Sequence, residues 1–217
     1  TVKIAAYGVS VENLKVTYDE GETITYPNFT IKPGEKVLLT GDSGTGKSTL
    51  FKALLGKIET KCGKITYFDK ESQPITNASL GYLPQDPIVF PISIKDNITM
   101  FVKRTEKQLM NVVKNVELKS DLDKMPSGID TVVNLKKNNL SGGQRQKIVL
   151  ARSEIYNQPF VLMDEVTSAI DQKATEEIIT ALLKTDQTIL MIAHNFTPEL
   201  RAKFDQEIRL AKKGEEE

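Results

Sequence analysis

The chain has 217 residues, enough for one large domain or a domain with a subdomain, and its 39% hydrophobic residues can form a substantial core. Its 29 basic residues balance 29 acidic ones, so it lacks the basic excess expected of a nucleic-acid-binding protein. Cys62 is the only cysteine, which excludes a framework of intrachain disulfides, and no apolar run approaches the roughly 20 residues of a membrane-spanning helix.

The first 55 residues predict strands, a glycine-rich loop and a helix, in that order. Residues 9–16 alternate roughly between apolar and polar side chains, which is typical of a half-buried strand. Residues 36–40 form a short apolar run after the turn signal Lys32–Pro33–Gly34 and lead directly into the loop. Residues 47–55 are predicted to form the helix that follows.

The loop reads GDSGTGKS over residues 41–48 and matches the pattern G-x-x-x-x-G-K-[ST]. Its glycines let backbone N–H groups curl round phosphate oxygens, and the following helix directs the positive end of its dipole to the same place. We expect Lys47 to reach the β- and γ-phosphates and the Ser48 hydroxyl to bind Mg²⁺. The alternative, a glycine turn that only caps a helix, is disfavoured by the strand before it and the helix after it. The predicted nucleotide-binding residues of this segment are Gly41, Asp42, Ser43, Gly44, Thr45, Gly46, Lys47, Ser48 and Thr49.

The middle of the chain, residues 92–156, has a helical pattern. Thr105 and Gln108 form a capping-box pattern ahead of apolar residues at helical spacing. Ser141 is predicted to begin a second helix, which carries Ile148 and Val149. Together with the strands on either side, this predicts a mixed-sheet core with an inserted helical subdomain.

Two fully apolar runs, residues 160–163 and 188–192, are typical of central strands in a parallel sheet. The first ends at Asp164 and Glu165, where open α/β sheets place their ligands. We expect Asp164 to hold Mg²⁺, partly through water, and Glu165 to polarise the attacking water. An ordinary strand that ends in solvated acids is the alternative, and the phosphate loop makes it less favourable.

Residues 140–144 read LSGGQ. Ser141 can cap a helix, and Gly142 and Gly143 leave the first N–H groups of that helix accessible to an anion. A simple N-cap does not need both glycines. With this motif the chain resembles the ATP-binding cassette (ABC) ATPases, whose signature is LSGGQ.

The resemblance implies an α/β fold of the P-loop NTPase (RecA-like) type, in which a mixed-sheet core carries a β-rich subdomain and an inserted α-helical subdomain. A single ABC ATPase domain would occupy residues 1–217. The core and β subdomain would take approximately residues 1–85 and 157–217, and the helical signature subdomain residues 86–156. The implied cofactors are ATP and Mg²⁺.

The resemblance also assigns roles to individual residues. The catalytic set would be Glu165, His194, Gln85 and Lys47, with Mg²⁺ held by Ser48, Gln85 and Asp164. The signature residues Ser141, Gly142, Gly143 and Gln144 would close over the γ-phosphate bound by a second ABC domain, so that two ATP molecules lie between domains arranged head to tail. Residues 168–171 resemble the loop that crosses this dimer interface, and Tyr18 resembles the aromatic residue that stacks on adenine, although Tyr26 lies near it in sequence.

Residues 85–97 and 128–132 resemble the exporter branch of the family most, although residues 131–134 (TVVN) lack the acidic residue usual there. The implied function is the motor domain of a membrane exporter at the cytoplasmic face of the membrane. Its partners would be a second ABC domain and transmembrane domains outside this chain, and not nucleic acid. The alternative is a soluble ABC ATPase that acts on nucleic acid or ribosomes. The absence of a coiled-coil insertion and the neutral charge argue against that alternative. A domain that only binds ATP is disfavoured because Glu165 and His194 are both present.

Overall fold

The computed structural model of the chain describes residues 2–18 and 21–211, except for the side chain of Tyr18. In this part, the strands are β1 (Ile4–Ala5), β2 (Gly8–Tyr18), β3 (Glu22–Thr25), β4 (Phe29–Ile31), β5 (Lys36–Gly41), β6 (Cys62–Phe68), β7 (Pro74–Ile75), β8 (Ala78–Ser79), β9 (Gly81–Leu83), β10 (Phe160–Asp164), β11 (Thr188–Ile192) and β12 (Gln206–Leu210). The helices are α1 (Lys47–Leu54), α2 (Ile94–Thr99), α3 (Glu106–Asn115), α4 (Lys119–Asp123), α5 (Gly142–Tyr156), α6 (Gln172–Leu182) and α7 (Pro198–Arg201), with a short 3-10 helix at Gly128–Asp130.

The described residues form two compact units. Residues 2–82, 159–164 and 186–211 make up the first, which we name the core unit. Residues 83–158 and 165–185 make up the second, which we name the helical unit. Each unit is described by itself below.

The core unit contains a five-stranded sheet in the order β12-β5-β11-β10-β9. Strand β5 is parallel to both β11 and β12, and β10 is parallel to β11. All of β11 is buried, and β10 is buried as far as Met163, which agrees with the apolar residues 160–163 and 189–192 of these strands. The predicted strands at residues 36–40, 160–163 and 188–192 and the predicted helix at residues 47–55 are therefore confirmed to within one residue at their ends.

A second sheet of the core unit is antiparallel, in the order β3-β2-β6-β7 with β4 also paired to β2. The predicted alternation along β2 is interrupted by a bulge at Asn13, whose φ is 49°. Val9 and Val11 are buried before the bulge, and Leu14 and Val16 are buried after it. The bulge therefore shifts the buried positions by one residue, which strict alternation does not predict.

One buried apolar cluster joins both sheets of the core unit to α1. Helix α1 contributes Leu50, Phe51 and Leu54, β5 contributes Leu39, and β2 contributes Val11. Because β5 and α1 both belong to this cluster, the loop between them is fixed at each end. The glycine-rich sequence thus adopts its conformation on a rigid support.

In the helical unit, α5 packs against α2 and α3. The predicted capping box of α3 is present, since the Thr105 hydroxyl accepts the Gln108 N–H at 3.1 Å and the Gln108 side chain accepts the Thr105 N–H at 2.9 Å. Leu109, Val112 and Val113 of the same helix are buried. Across residues 2–18 and 21–211, no helix combines the length and apolar character needed to cross a bilayer.

Candidate active site

The loop between β5 and α1 is held in shape by the side chains below it. Gly46 has a φ of 97°, and a Cβ at this position would lie 2.6 Å from Cδ1 of Ile24. The Tyr26 hydroxyl donates a hydrogen bond to the Gly46 carbonyl at 2.8 Å, and Tyr26 is almost completely buried. Tyr26 therefore positions the loop, a role that sequence reasoning did not assign to it. Residues around Tyr26 (TITYPNFT) mix polar and apolar side chains and lie about 15 positions before the loop, so the sequence carried no signal for this role.

Lys47 begins α1 and its side chain turns back over the loop. Its Nζ donates to the carbonyl oxygens of Gly41 and Asp42, the latter at 3.0 Å. The Thr45 hydroxyl also donates to the Asp42 carbonyl, at 2.7 Å. Helix α1 has neither a side-chain cap nor an acidic residue in its first turn. The ammonium group and the positive end of the helix dipole both lie at this loop, and both favour an anion such as phosphate there.

The parallel strands bring three predicted site segments to one edge of the sheet. Asp164 at the end of β10 is in register with Ile192 of β11, and Ile192 is in register with Leu39 of β5. The phosphate loop opens at Gly41, two residues beyond Leu39, and His194 lies two residues beyond Ile192. His194 is exposed and Asp164 is partly exposed, so both are accessible to a ligand at this edge.

Tyr82 of β9 lies close to Asp164. Burial, and secondarily the charge of the Asp164 carboxylate, raise the pKa of Tyr82. The Tyr82 ring meets Phe51 of α1 edge to face, with the ring centroids 6.3 Å apart, and Lys57 Nζ lies 5.5 Å from the Tyr82 centroid. Tyr82 thus connects the acidic end of β10 with the helix that follows the phosphate loop.

Glu165 follows Asp164 in the chain and begins a turn in the helical unit. Its φ of 49° is left-handed, a conformation that costs a non-glycine residue about 1 kcal/mol or more. The Glu165 carbonyl accepts hydrogen bonds from the Ser168 N–H at 3.2 Å and from Nε2 of Gln146 at 3.3 Å. The backbone that carries the Glu165 carboxylate is therefore held from both sides of the turn.

Ser141 is the N-cap of α5, as predicted, and it forms a capping box with Gln144. The Ser141 hydroxyl accepts the Gln144 N–H at 3.1 Å, and Oε1 of Gln144 accepts the Ser141 N–H at 2.9 Å. Nε2 of Gln144 donates to Asp121 at 3.1 Å, and the other Asp121 oxygen lies 3.0 Å from Nζ of Lys147. Both the oxygen and the nitrogen of the Gln144 side-chain amide therefore form hydrogen bonds that fix the start of α5, which we name the signature helix because it begins within LSGGQ.

The two glycines of LSGGQ occupy different surroundings. A Cβ on Gly143 would lie 2.7 Å from the carbonyl oxygen of Ala169, whereas a Cβ on Gly142 would come no closer than 3.4 Å to a neighbouring atom, the Ala169 Cβ. Gly143 is therefore required by close contact with the turn that Glu165 begins. Sequence reasoning explained both glycines by anion binding alone and missed this steric reason.

Gln85 is exposed and lies between β9 and α2. The same connection is held by Asn97, which is fully buried and bonds the N–H and the carbonyl of Phe90 at 2.8 Å and 3.0 Å. Arg152 of α5 donates to the Asn97 carbonyl at 2.7 Å and to the Ile88 carbonyl at 2.8 Å, and burial lowers the pKa of Arg152. Asn97 and Arg152 were not predicted, because a polar residue on a helix shows no sign of burial in the sequence.

Tyr18 ends β2 and pairs with Glu22. Its side chain lies outside the described part of the chain, so stacking on adenine stays a prediction. Ser168, in the segment predicted to cross a dimer interface, is exposed, and its hydroxyl accepts a hydrogen bond from Nε2 of Gln146 at 3.0 Å.

The chain is similar to known proteins over most of its length. The profile of the family described as ABC transporter matches residues 24–168. The mesentericin transport/processing ATP-binding protein of Leuconostoc mesenteroides is 35% identical over 84% of this chain and 26% of its own length. The transport/processing ATP-binding protein ComA of Streptococcus pneumoniae is 33% identical over 78% of this chain and 24% of its own length. The chain thus spans about a quarter of the length of these two relatives.

The fold is also found in solved structures. A bacterial Atm1-family ABC exporter with ATP bound matches 97% of this chain and 38% of its own chain, with a TM-score of 0.80 and 26% sequence identity. This likeness confirms the predicted α/β fold of the P-loop NTPase type.

Proposed function

The chain belongs to the ABC transporter family, as an ATP-binding and ATP-hydrolysing domain, and we propose that it is the motor domain of a membrane exporter. The observation that carries the proposal is the meeting of the phosphate loop, Asp164 and His194 at one edge of the parallel sheet. The relatives named for transport, and the exporter whose structure this chain resembles, support the exporter assignment.

In the proposed reaction, water attacks the γ-phosphate of ATP and ADP leaves. The phosphate loop holds the triphosphate, and the Lys47 ammonium exchanges its loop carbonyls for phosphate oxygens when ATP arrives. Glu165 polarises the attacking water, Gln85 touches that water, and His194 donates to the γ-phosphate as charge develops on it. The loop carbonyls keep Lys47 oriented before ATP binds.

Ser48, Asp164 and Gln85 would hold Mg²⁺. Ser48 is exposed on the first turn of α1 and Asp164 is partly exposed at the end of β10, so the oxygen ligands that Mg²⁺ prefers are accessible at the edge where the phosphates would lie. When bound, the ion neutralises charge on the β- and γ-phosphates. The residues present fit this cofactor.

We further propose that the signature helix serves the nucleotide of a second ABC domain, arranged head to tail. The capping box and the Asp121 contact fix the start of α5 before any ligand binds, which is what a preorganised anion site needs. The Gly142 and Gly143 N–H groups would face the γ-phosphate. Because hydrolysis removes that phosphate, the dimer would be transient in the wild-type protein.

The proposed membrane partner would dock on the helical unit. Apolar side chains are exposed in the segments before and after α2. Ile88, before the helix, is 59% exposed, and Phe101, after it, is 71% exposed. Met100 and Phe101 adopt left-handed backbone conformations, with φ of 49° and 63°. Exposed apolar groups on a locally strained backbone are typical of an interaction surface. The domain would then lie at the cytoplasmic face of the membrane. The relatives are named for transport and give no support to the alternative function, a soluble ABC ATPase that acts on nucleic acid or ribosomes.

The experiment that tests the proposal measures dimer formation with ATP. Glu165→Gln keeps the size of the side chain but removes its charge, so it should block hydrolysis and give a stable dimer by light scattering at saturating ATP. Adding Ser141→Arg should abolish that dimer, whereas adding Thr105→Arg, which removes the equivalent cap of α3, should not. A Glu165→Gln chain that stays monomeric would exclude the head-to-tail mechanism for this domain.

A further inference from the structure

Gln146 is a buried polar residue in α5 that the reaction above does not use. Only 4% of its surface is exposed. Among the described residues its amide makes three hydrogen bonds, all to the turn at residues 165–169. Nε2 donates to the Glu165 carbonyl at 3.3 Å and to the Ser168 hydroxyl at 3.0 Å, and Oε1 accepts the Ala169 N–H at 2.9 Å. Both ends of the amide are therefore committed to one turn.

These bonds act on a backbone that is strained. Glu165 has a φ of 49°, and left-handed conformations of non-glycine residues persist only where the surroundings determine them. The turn supplies one internal bond to the Glu165 carbonyl, from the Ser168 N–H, and Gln146 supplies another. Because the backbone of Glu165 sets the origin and direction of its Cα–Cβ bond, the bonds from Gln146 help to fix the point from which the Glu165 side chain extends.

The same turn touches the start of α5. A Cβ on Gly143 would lie 2.7 Å from the Ala169 carbonyl oxygen. The backbones of Gly143 and Ala169 are therefore in close contact, and there is no room for a side chain between them. Gln146 lies three residues further along the helix and bonds the N–H of the same Ala169. The signature end of α5 and the turn of Glu165 are thus joined by a steric contact and three hydrogen bonds.

We propose that Gln146 is a positioning residue that fixes the Glu165 carboxylate for hydrolysis and ties it to the signature helix. The inference rests on the proposed function, in which Glu165 polarises the attacking water. Gln146 contacts no phosphate in this scheme and acts only through the turn. Its loss should therefore lower kcat and leave ATP affinity unchanged.

Two variants of Gln146 separate its hydrogen bonds from its volume. Gln146→Met keeps the length of the side chain and removes all three bonds. Gln146→Glu keeps an acceptor for the Ala169 N–H, and its ionised form cannot donate to the Glu165 carbonyl. Since a misplacement of about 1 Å in a reacting group costs roughly 10²-fold in rate, both should lower kcat at least tenfold, with Kd for ATP within about threefold of wild type. Asn115→Ala, which removes a contact to Glu154 on the far part of α5, is the matched control and should keep wild-type kcat.

A double-mutant cycle shows whether the effect passes through Glu165. In the Glu165→Gln background, adding Gln146→Met should change the residual single-turnover rate less than twofold, because the group to be positioned is already gone. The inference would be overturned if Gln146→Met lowered the hydrolysis rate equally with and without Glu165→Gln. It would also be overturned if Asn115→Ala lowered the rate as much as the Gln146 variants do. If both Gln146 variants turn over at the wild-type rate while Glu165→Gln is slow, the role of Gln146 is overturned and the role proposed for Glu165 stands. Wild-type turnover in Glu165→Gln overturns the role of Gln146 together with the role proposed for Glu165.

Discussion

The two glycines of the signature allow a prediction in which each serves as the control for the other. Both lie in the first turn of α5 with negative φ, so alanine at either position gains about 0.5–1 kcal/mol of helix preference. At Gly142 the new Cβ makes an ordinary contact at 3.4 Å from the Ala169 Cβ. Gly142→Ala should therefore be neutral or should stabilise the chain by up to about 1 kcal/mol.

At Gly143 the new Cβ would lie 2.7 Å from the carbonyl oxygen of Ala169, and this backbone is held by Gln146 and cannot give way easily. Overpacking of this kind costs about 1–3 kcal/mol and exceeds the gain in helix preference, so the net change for Gly143→Ala is a loss of up to about 2.5 kcal/mol. For a chain of this size the thermal midpoint should fall by up to about 10 °C. The midpoint of Gly142→Ala should stay level or rise by up to about 4 °C.

The assay is thermal unfolding of both variants without nucleotide, followed by circular dichroism. Working without ATP keeps any role of the glycines in binding out of the comparison. Equal midpoints for the two variants, or a lower midpoint for Gly142→Ala, would refute the steric explanation of Gly143. Anion binding would then be the remaining explanation for glycine at that position.

Three further substitutions test the nucleotide site. Lys47→Ala should abolish tight ATP binding while the thermal midpoint stays near that of wild type, because the Lys47 ammonium bonds carbonyls of the loop. Unchanged affinity would exclude the phosphate-loop assignment. Tyr26→Phe removes one hydrogen bond of about 1 kcal/mol to the Gly46 carbonyl, which still accepts the Leu50 N–H, so ATP affinity should fall by up to about fivefold in a titration. The control for Tyr26→Phe is Tyr67→Phe. The Tyr67 hydroxyl bonds the Leu54 carbonyl, away from the loop, so the Tyr67→Phe variant should bind ATP as the wild type does. His194→Ala should slow hydrolysis far more than it weakens ATP binding, since the proposed contact acts on the barrier, and equal losses in kcat and affinity would instead indicate a structural histidine.

Much of the fold follows from local patterns. The apolar runs that became β10 and β11, the helix after the phosphate loop and the caps at Thr105 and Ser141 were all predicted, because each depends on neighbours within a few residues. The bulge at Asn13 was not predicted. The adjacent polar residues Glu12 and Asn13 break the alternation of β2 at this point. A bulge also depends on how β2 pairs with β6, a strand about 50 residues later, and the sequence of β2 alone does not show that pairing.

By itself the sequence determined which residues form the candidate site, because a phosphate loop, an acidic strand end and LSGGQ are contiguous motifs whose chemistry depends on short spacing. Only the tertiary structure decided what holds these motifs in place. Tyr26 bonds the loop at Gly46, Gln146 bonds the turn of Glu165, and Gly143 approaches Ala169 too closely for a side chain. Each of these contacts joins residues about 20 or more positions apart, so it exists only once the chain has folded and brought two segments within hydrogen-bond or van der Waals distance.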